Sequence, residues 1–115
     1  MICELHAVIP VDDFDNAYAW YQIFFSRPAD LRPQPGEARW QVAGAGWVAL
    51  VDDAAHSGQG RLTLLVDSLE DHVGTLAMRG IAPESVEIVP GGRREATILD
   101  PAGTTIKICD GPPGS

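Results

Sequence analysis

The sequence predicts an α+β domain in which two helices cover one face of the strands. Three observations carry that reading. Two segments place apolar residues at helical spacing. Each follows a short apolar strand, and the strand–helix junction is written twice, Val11-Asp12-Asp13-Phe14-Asp15 being echoed by Val66-Asp67-Ser68-Leu69-Glu70, as in a duplicated chain. Behind each helix come short β-like runs separated by Gly- and Pro-containing turns. A helix with a single apolar stripe has to bury it on a sheet, which puts both helices on one face. The strands are apolar enough that the opposite face must curve around something rather than lie open to water.

Leu5–Val11 forms the first strand. Asp12 or Asp13 is placed to cap the helix that follows, in which Phe14, Ala17, Tyr18, Tyr21 and Phe25 make the apolar stripe. Asp12, Asp13 and Asp15 crowd a helix N-terminus, where the dipole favours carboxylates, and they lack the spacing and glycine of an EF-hand calcium loop. A short strand near residues 29–31 precedes a loop over residues 32–36 that carries two prolines. Strands over 38–43 and 47–51 are joined by the hairpin turn Gly44-Ala45-Gly46. A polar connection over 53–60 leads to the second unit: the strand Arg61–Val66, the N-cap Ser68, a stripe of Leu69, Val73, Leu76 and Ala77, and Gly80 as C-cap glycine. Strands follow over 86–89, 95–99 and 104–109, the last two linked by the turn Asp100-Pro101-Ala102-Gly103, with Pro and Gly where turn chemistry favours them. The domain is expected over residues 1–110, with modules at about 1–53 and 60–110, and a flexible Gly/Pro-rich tail at 111–115.

With 115 residues, 45% of them hydrophobic and 21% charged, the chain can bury a core without metals or disulfides. A net charge of −8 argues against a nucleic-acid partner, whose phosphates reward a basic face, and against an anionic membrane surface. No apolar run approaches the roughly 20 residues that span a bilayer. Residues 1–11 show neither the basic region nor the long apolar run of a signal peptide, so a cytoplasmic protein is expected. Cys3 and Cys109, one near each end, belong to no CxxC and no Cys–His cluster and are expected as free thiols. No GxSxG, GxGxxG or P-loop motif is present, so no catalytic residue and no cofactor is assigned.

Across residues 6–25, 46–51, 61–80 and 92–108 the chain resembles the vicinal-oxygen-chelate superfamily, the glyoxalase, bleomycin-resistance and extradiol-dioxygenase type of domain. A strand with His6, then Val11-Asp12-Asp13, then a helix with Trp20-Tyr21, resembles the family's opening. Arg94 and Asp100-Pro101-Ala102-Gly103 ahead of Ile106 and Ile108 resemble its closing hairpin. The resemblance implies two βαβββ modules forming a U-shaped, curved mixed sheet with helices on the outer face, its cleft commonly completed in a homodimer. The family's metalloenzymes place one metal ligand on the first and one on the last strand of each module. Those positions are His6, Ala49, Arg61 and Lys107 here, and the duplication gives the same register: His6 stands five residues before Val11, and Arg61 five before Val66. Only His6 is a metal donor. Ala49 has no donor atom, Arg61 and Lys107 are cations, and His56 and His72 are expected away from the cleft. The resemblance therefore implies a metal-free, small-molecule-binding protein, with a small organic ligand held in the cleft of a homodimer.

Strand alternation groups Trp47, Ala49 and Val51 with His6, Val8 and Pro10. It sets Arg61, Thr63 and Leu65, with Thr105, Lys107 and Cys109, on the cleft face of the second unit. The ligand-binding candidates are His6, Trp47, Ala49, Arg61, Thr63 and Lys107. Arg61 and Lys107 either form a cationic patch for an anionic or oxygen-rich ligand or pair with local carboxylates such as Glu37, Glu95 or Asp110. The acidic charge and the tryptophans suit an aromatic or cationic ligand instead. Trp47 is a stacking surface or a packing residue, and Trp40 reads as core. His6 is a hydrogen-bonded wall residue or a general base. The second option gives the alternative function, a metal-independent isomerase or lyase in which Arg61 stabilises an oxyanion. A third reading is a structural module that acts through its dimer surface.

Overall fold

A computed structural model of the chain describes residues 1–111, so the expected tail lies, from 112 onward, outside the described residues. The elements run β1 (Leu5–Val11), α1 (Phe14–Phe25), β2 (Glu37–Ala43), β3 (Gly46–Asp52), β4 (Arg61–Val66), α2 (Leu69–Met78), β5 (Ser85–Ile88), β6 (Arg94–Leu99) and β7 (Thr105–Asp110). The duplicated order is what the sequence predicts, an α+β fold of two like modules. The first sheet has the order β1-β3-β2 and the second β4-β7-β6-β5. In both, the first and last strands of the module pair in parallel, and the last pairs antiparallel with the one before it.

One element differs from expectation. The strand near residues 29–31 is reduced to a single bridge, Leu31 to Arg39, where the second module has the full strand β5. Pro28 has no N–H to offer a ladder, and the Asp30 carboxylate takes over part of it, accepting from Gln41 N at 2.7 Å and from Arg27 Nη2 at 3.0 Å. The next residue, Arg32, is drawn back over the rings of Phe14 and Tyr18 and donates to the carbonyls of Glu37 and Pro35.

Both helices begin at a cap the sequence offers, and α2 ends where the sequence places its stop. Asp13 accepts from Asn16 N and Ser68 from Asp71 N, each at 3.2 Å, as N-caps do. Gly80, at φ +83°, sits just past α2 and lets Ile81 N return to Leu76 O, the left-handed closure that glycine allows. Each helix covers its own sheet. Tyr21 and Phe24 pack with Trp40, Ile9 and Leu50 in the first module, and Leu69 and Leu76 with Ile98, Ile106 and Ile108 in the second; all are buried. Trp40 is therefore core, its indole donating to Arg27 O at 3.1 Å.

The Asp100-Pro101-Ala102-Gly103 turn fastens the modules together. Asp100 is buried. One carboxylate oxygen accepts from Ala102 N and Thr104 N at 2.9 and 2.8 Å, and the other accepts from the hydroxyl of Tyr21, on α1, at 2.7 Å. The modules also meet where β1 passes the start of β4. A Cβ at Gly60 would lie 3.2 Å from Pro10 Cδ and 3.4 Å from Val8 O, so a side chain here would press the two strands apart by a few tenths of an ångström.

Candidate functional site

Strand register settles which side chains share the face turned away from the helices. In the first sheet the cross-strand rows are Gln41–Trp47–His6, Arg39–Ala49–Val8 and Glu37–Val51–Pro10. In the second they are Leu99–Thr105–Arg61, Thr97–Lys107–Thr63 and Glu95–Cys109–Leu65. His6 thus lies opposite Trp47 as Arg61 lies opposite Thr105, and Ala49 and Lys107 occupy equivalent places two residues on. The modules have diverged on this face: the first is mainly apolar and aromatic, the second mainly polar.

Lys107 does not stand as an open cation. Its ammonium donates to Thr97 Oγ1 at 2.9 Å and lies 3.3 Å from Glu95 Oε1. The other oxygen of Glu95 accepts from Cys109 Sγ at 3.4 Å. Burial, together with this carboxylate, raises the Cys109 thiol above its ordinary pKa, so the thiolate that a nucleophile or metal ligand requires is disfavoured. The equivalent carboxylate in the first module, Glu37, is bound by Arg39 Nε at 2.6 Å, which holds it below the usual carboxylate range. Of the two expected cations, Lys107 is therefore in a local ion pair, whereas Arg61 is exposed and forms no salt bridge among the described residues.

A groove of about 610 Å³ lies in the seam between β1 and β4. It takes side chains from both faces of β4, with Thr63 and Leu65 from one and Leu62 and Leu64 from the other, and it reaches Phe24 and Phe25 at the end of α1. His6 and Trp47 stand on its wall with their rings stacked, centroids 5.9 Å apart and planes 8° from parallel. His6 Nε2 lies 3.3 Å from Glu4 Oε1. Trp47 Nε1 is buried without a hydrogen-bond partner among the described residues. From α2 and its C-cap come His72 and Arg79. The Arg79 guanidinium donates to Phe24 O at 3.1 Å, placing a cation at the C-terminus of α1, where the helix dipole favours one. Burial, and then the charge of Arg79, hold His72 below the ordinary imidazole pKa.

Of the ligand-binding candidates, His6, Trp47 and Thr63 come together on this groove, while Ala49, Arg61 and Lys107 are not among its lining residues. His72, expected away from the cleft, lines the groove, and Arg79 was not singled out at all. Both carry a signal in the sequence. Residues 69, 72, 73, 76 and 79 follow helical spacing, so His72 and Arg79 flank the apolar stripe of α2.

The four positions that would hold a divalent metal do not fit one. Ala49 has no donor atom, Lys107 is an ammonium bonded to Thr97 and Glu95, Arg61 is a permanent cation, and His6 alone remains. Among the described residues no three His, Cys, Asp or Glu side chains are grouped to hold a metal ion, whereas such a centre needs several converging donors.

No protein-family model matches the chain, and no curated protein matches it by sequence. Solved structures do. The chain is similar to the glyoxalase/bleomycin resistance protein from Catenulispora acidiphila DSM 44928, with 30% identity and a TM-score of 0.89 over 96% of this chain and 100% of that one. It shares its fold with lactoylglutathione lyase from Agrobacterium tumefaciens, at 22% identity and a TM-score of 0.74 over 93% and 92% of the two chains. A bleomycin-binding protein complexed with bleomycin shares it too, at 18% identity and a TM-score of 0.76 over 95% and 98%. The duplicated modules, their common register and a 30% identical relative aligned along its whole length place the chain in the glyoxalase/bleomycin-resistance family, with the vicinal-oxygen-chelate fold.

Proposed function

We propose that the chain binds a small organic molecule in the seam groove without a divalent metal, and that it does so as a homodimer. The observation that carries the reading is the groove, whose size and aromatic, apolar walls with a few polar groups suit a small ligand. The donor set at the family's metal positions supports metal independence. Val8, Leu65 and Leu99, exposed on the sheet faces turned from the helices, support a second copy there, since apolar surface of this kind marks interfaces. That one structural relative is a bleomycin-binding protein solved with bleomycin makes small-molecule binding a natural use of the fold, although fold alone does not decide function.

One observation favours the alternative, a metal-independent isomerase or lyase. His6 has a carboxylate, Glu4, within 3.3 Å and faces the groove, as an oriented general base would. Arg61, its expected oxyanion partner, is not on the groove, and Glu4 is exposed while His6 is half-buried. The binding reading is tested by a thermal-shift screen of small acids, cationic antibiotics and neutral aromatics in the presence of a chelator. A ligand that binds the native state raises the apparent melting point by mass action. The expected result is stabilisation by one ligand class, lost when Trp47 is changed to Ala. Turnover of that ligand, abolished by His6→Ala with binding retained, would instead establish the enzyme.

A further inference from the structure

The groove differs from the rest of the molecule in its charge. The chain carries −8 overall, yet among the described residues no carboxylate lines the groove; its ionisable groups are His6, with Glu4 Oε1 3.3 Å from its ring, His72 and Arg79. Arg79 is engaged by Phe24 O and Ile23 O at 3.1 and 3.5 Å, and His72 lies half-buried beside it. A cation entering the groove finds no carboxylate on its lining to replace its water. An anion in the groove would lie near a neighbouring depression that shares His72 and Leu65 with the groove and carries Asp67 and Asp71. It must also compete for Arg79 with the carbonyls of α1. What the seam offers instead is dipoles. β1 is paired only with β3 and β4 only with β7 among the described residues, so the facing edges of both strands leave backbone N–H and C=O groups open beside the groove. Burying a charge without a partner costs far more than burying a neutral polar group that finds a hydrogen bond.

Building on the binding reading above, we propose that the groove takes an uncharged, flat and largely apolar molecule with an amide-like edge that bonds to these strand edges. The test uses three probes of one planar shape, naphthalene-carboxamide, naphthalene-carboxylate and naphthalene-amidine, titrated calorimetrically into the full chain. The carboxamide is expected to bind at least about tenfold tighter than either charged probe. Leu65→Asp, at a half-exposed position on the groove, is expected to weaken the carboxamide by at least about tenfold, whereas Ile88→Asp, exposed on β5 outside the groove, leaves it unchanged. Should Leu65→Asp fail to fold, Thr63→Asp, exposed on the same wall, serves instead. Tighter binding by the carboxylate or the amidine overturns the charge assignment, and an equal loss from Ile88→Asp overturns the location. Failure of all three probes, while the thermal-shift screen yields another ligand, overturns this inference alone; failure of every ligand in that screen overturns the binding reading as well.

Discussion

Tyr21 and Asp100 show how much of the fold rests on single side chains. The Tyr21 hydroxyl is the only bridge from α1 to the Asp100 carboxylate among the described residues, and both groups are buried. Burial and the adjacent carboxylate drive the phenol pKa upward, so it remains a donor throughout the working range. Tyr21→Phe deletes that donor and leaves Asp100 a partner short, which is expected to cost about 1–3 kcal/mol, read as a lower urea midpoint at unchanged slope. An unchanged midpoint would mean the turn holds without α1. His72 gives a pH signature. Its folded pKa is depressed below the ordinary value of 6.5, so between the two values the unfolded chain binds more protons than the folded one, and stability falls as pH drops below about 6.5. His72→Gln should remove this part of the acid-side loss, seen by comparing urea midpoints of the two proteins on either side of that pH. Parallel profiles would contradict the burial of the imidazole.

At the scale of elements, local chemistry was legible and partner choice was not. The spacing of Phe14, Ala17, Tyr21 and Phe25, the caps at Asp13 and Ser68 and the stop at Gly80 depend on neighbours a few residues away, and the structure has them where the sequence puts them. Ser68→Ala is expected to cost about 1 kcal/mol, with Ser68→Asp largely restoring it; equal losses from both would show that the cap hydrogen bond to Asp71 N carries no stability. The segment near residues 29–31 keeps only the Leu31–Arg39 bridge because Asp30 and Arg27 reach Gln41, contacts beyond the local spacing that the sequence displays. Lys107 shows the same division. Its pairing with a local carboxylate was one of two open readings, and only the β6–β7 register, which sets Glu95 one row from it, decides the matter. His72 and Arg79 were missed because a charged residue beside an apolar stripe reads as solvated surface until the facing element is known, here the end of α1 and the edge of β1.

The whole molecule is a duplicated scaffold whose halves carry different side-chain chemistry on equivalent faces. Its first module turns Trp47, Val8 and Ala49 to the face where its second sets Thr105, Thr63 and Lys107. The seam between them, rather than either sheet alone, makes the groove. The duplication could be read from Val11-Asp12-Asp13 and Val66-Asp67-Ser68, because each copy must restart the same strand-to-helix turn. The groove could not, because it is formed by two strand edges far apart in the chain. The central claim, a metal-free binder of a small molecule, is tested most directly by native mass spectrometry of the purified chain with its thermal-shift ligand, alongside elemental analysis for divalent metals. The expected result is a dimer free of stoichiometric metal that gains one ligand per chain. A divalent metal bound in proportion to the chain, with ligand binding lost on its removal, would contradict it.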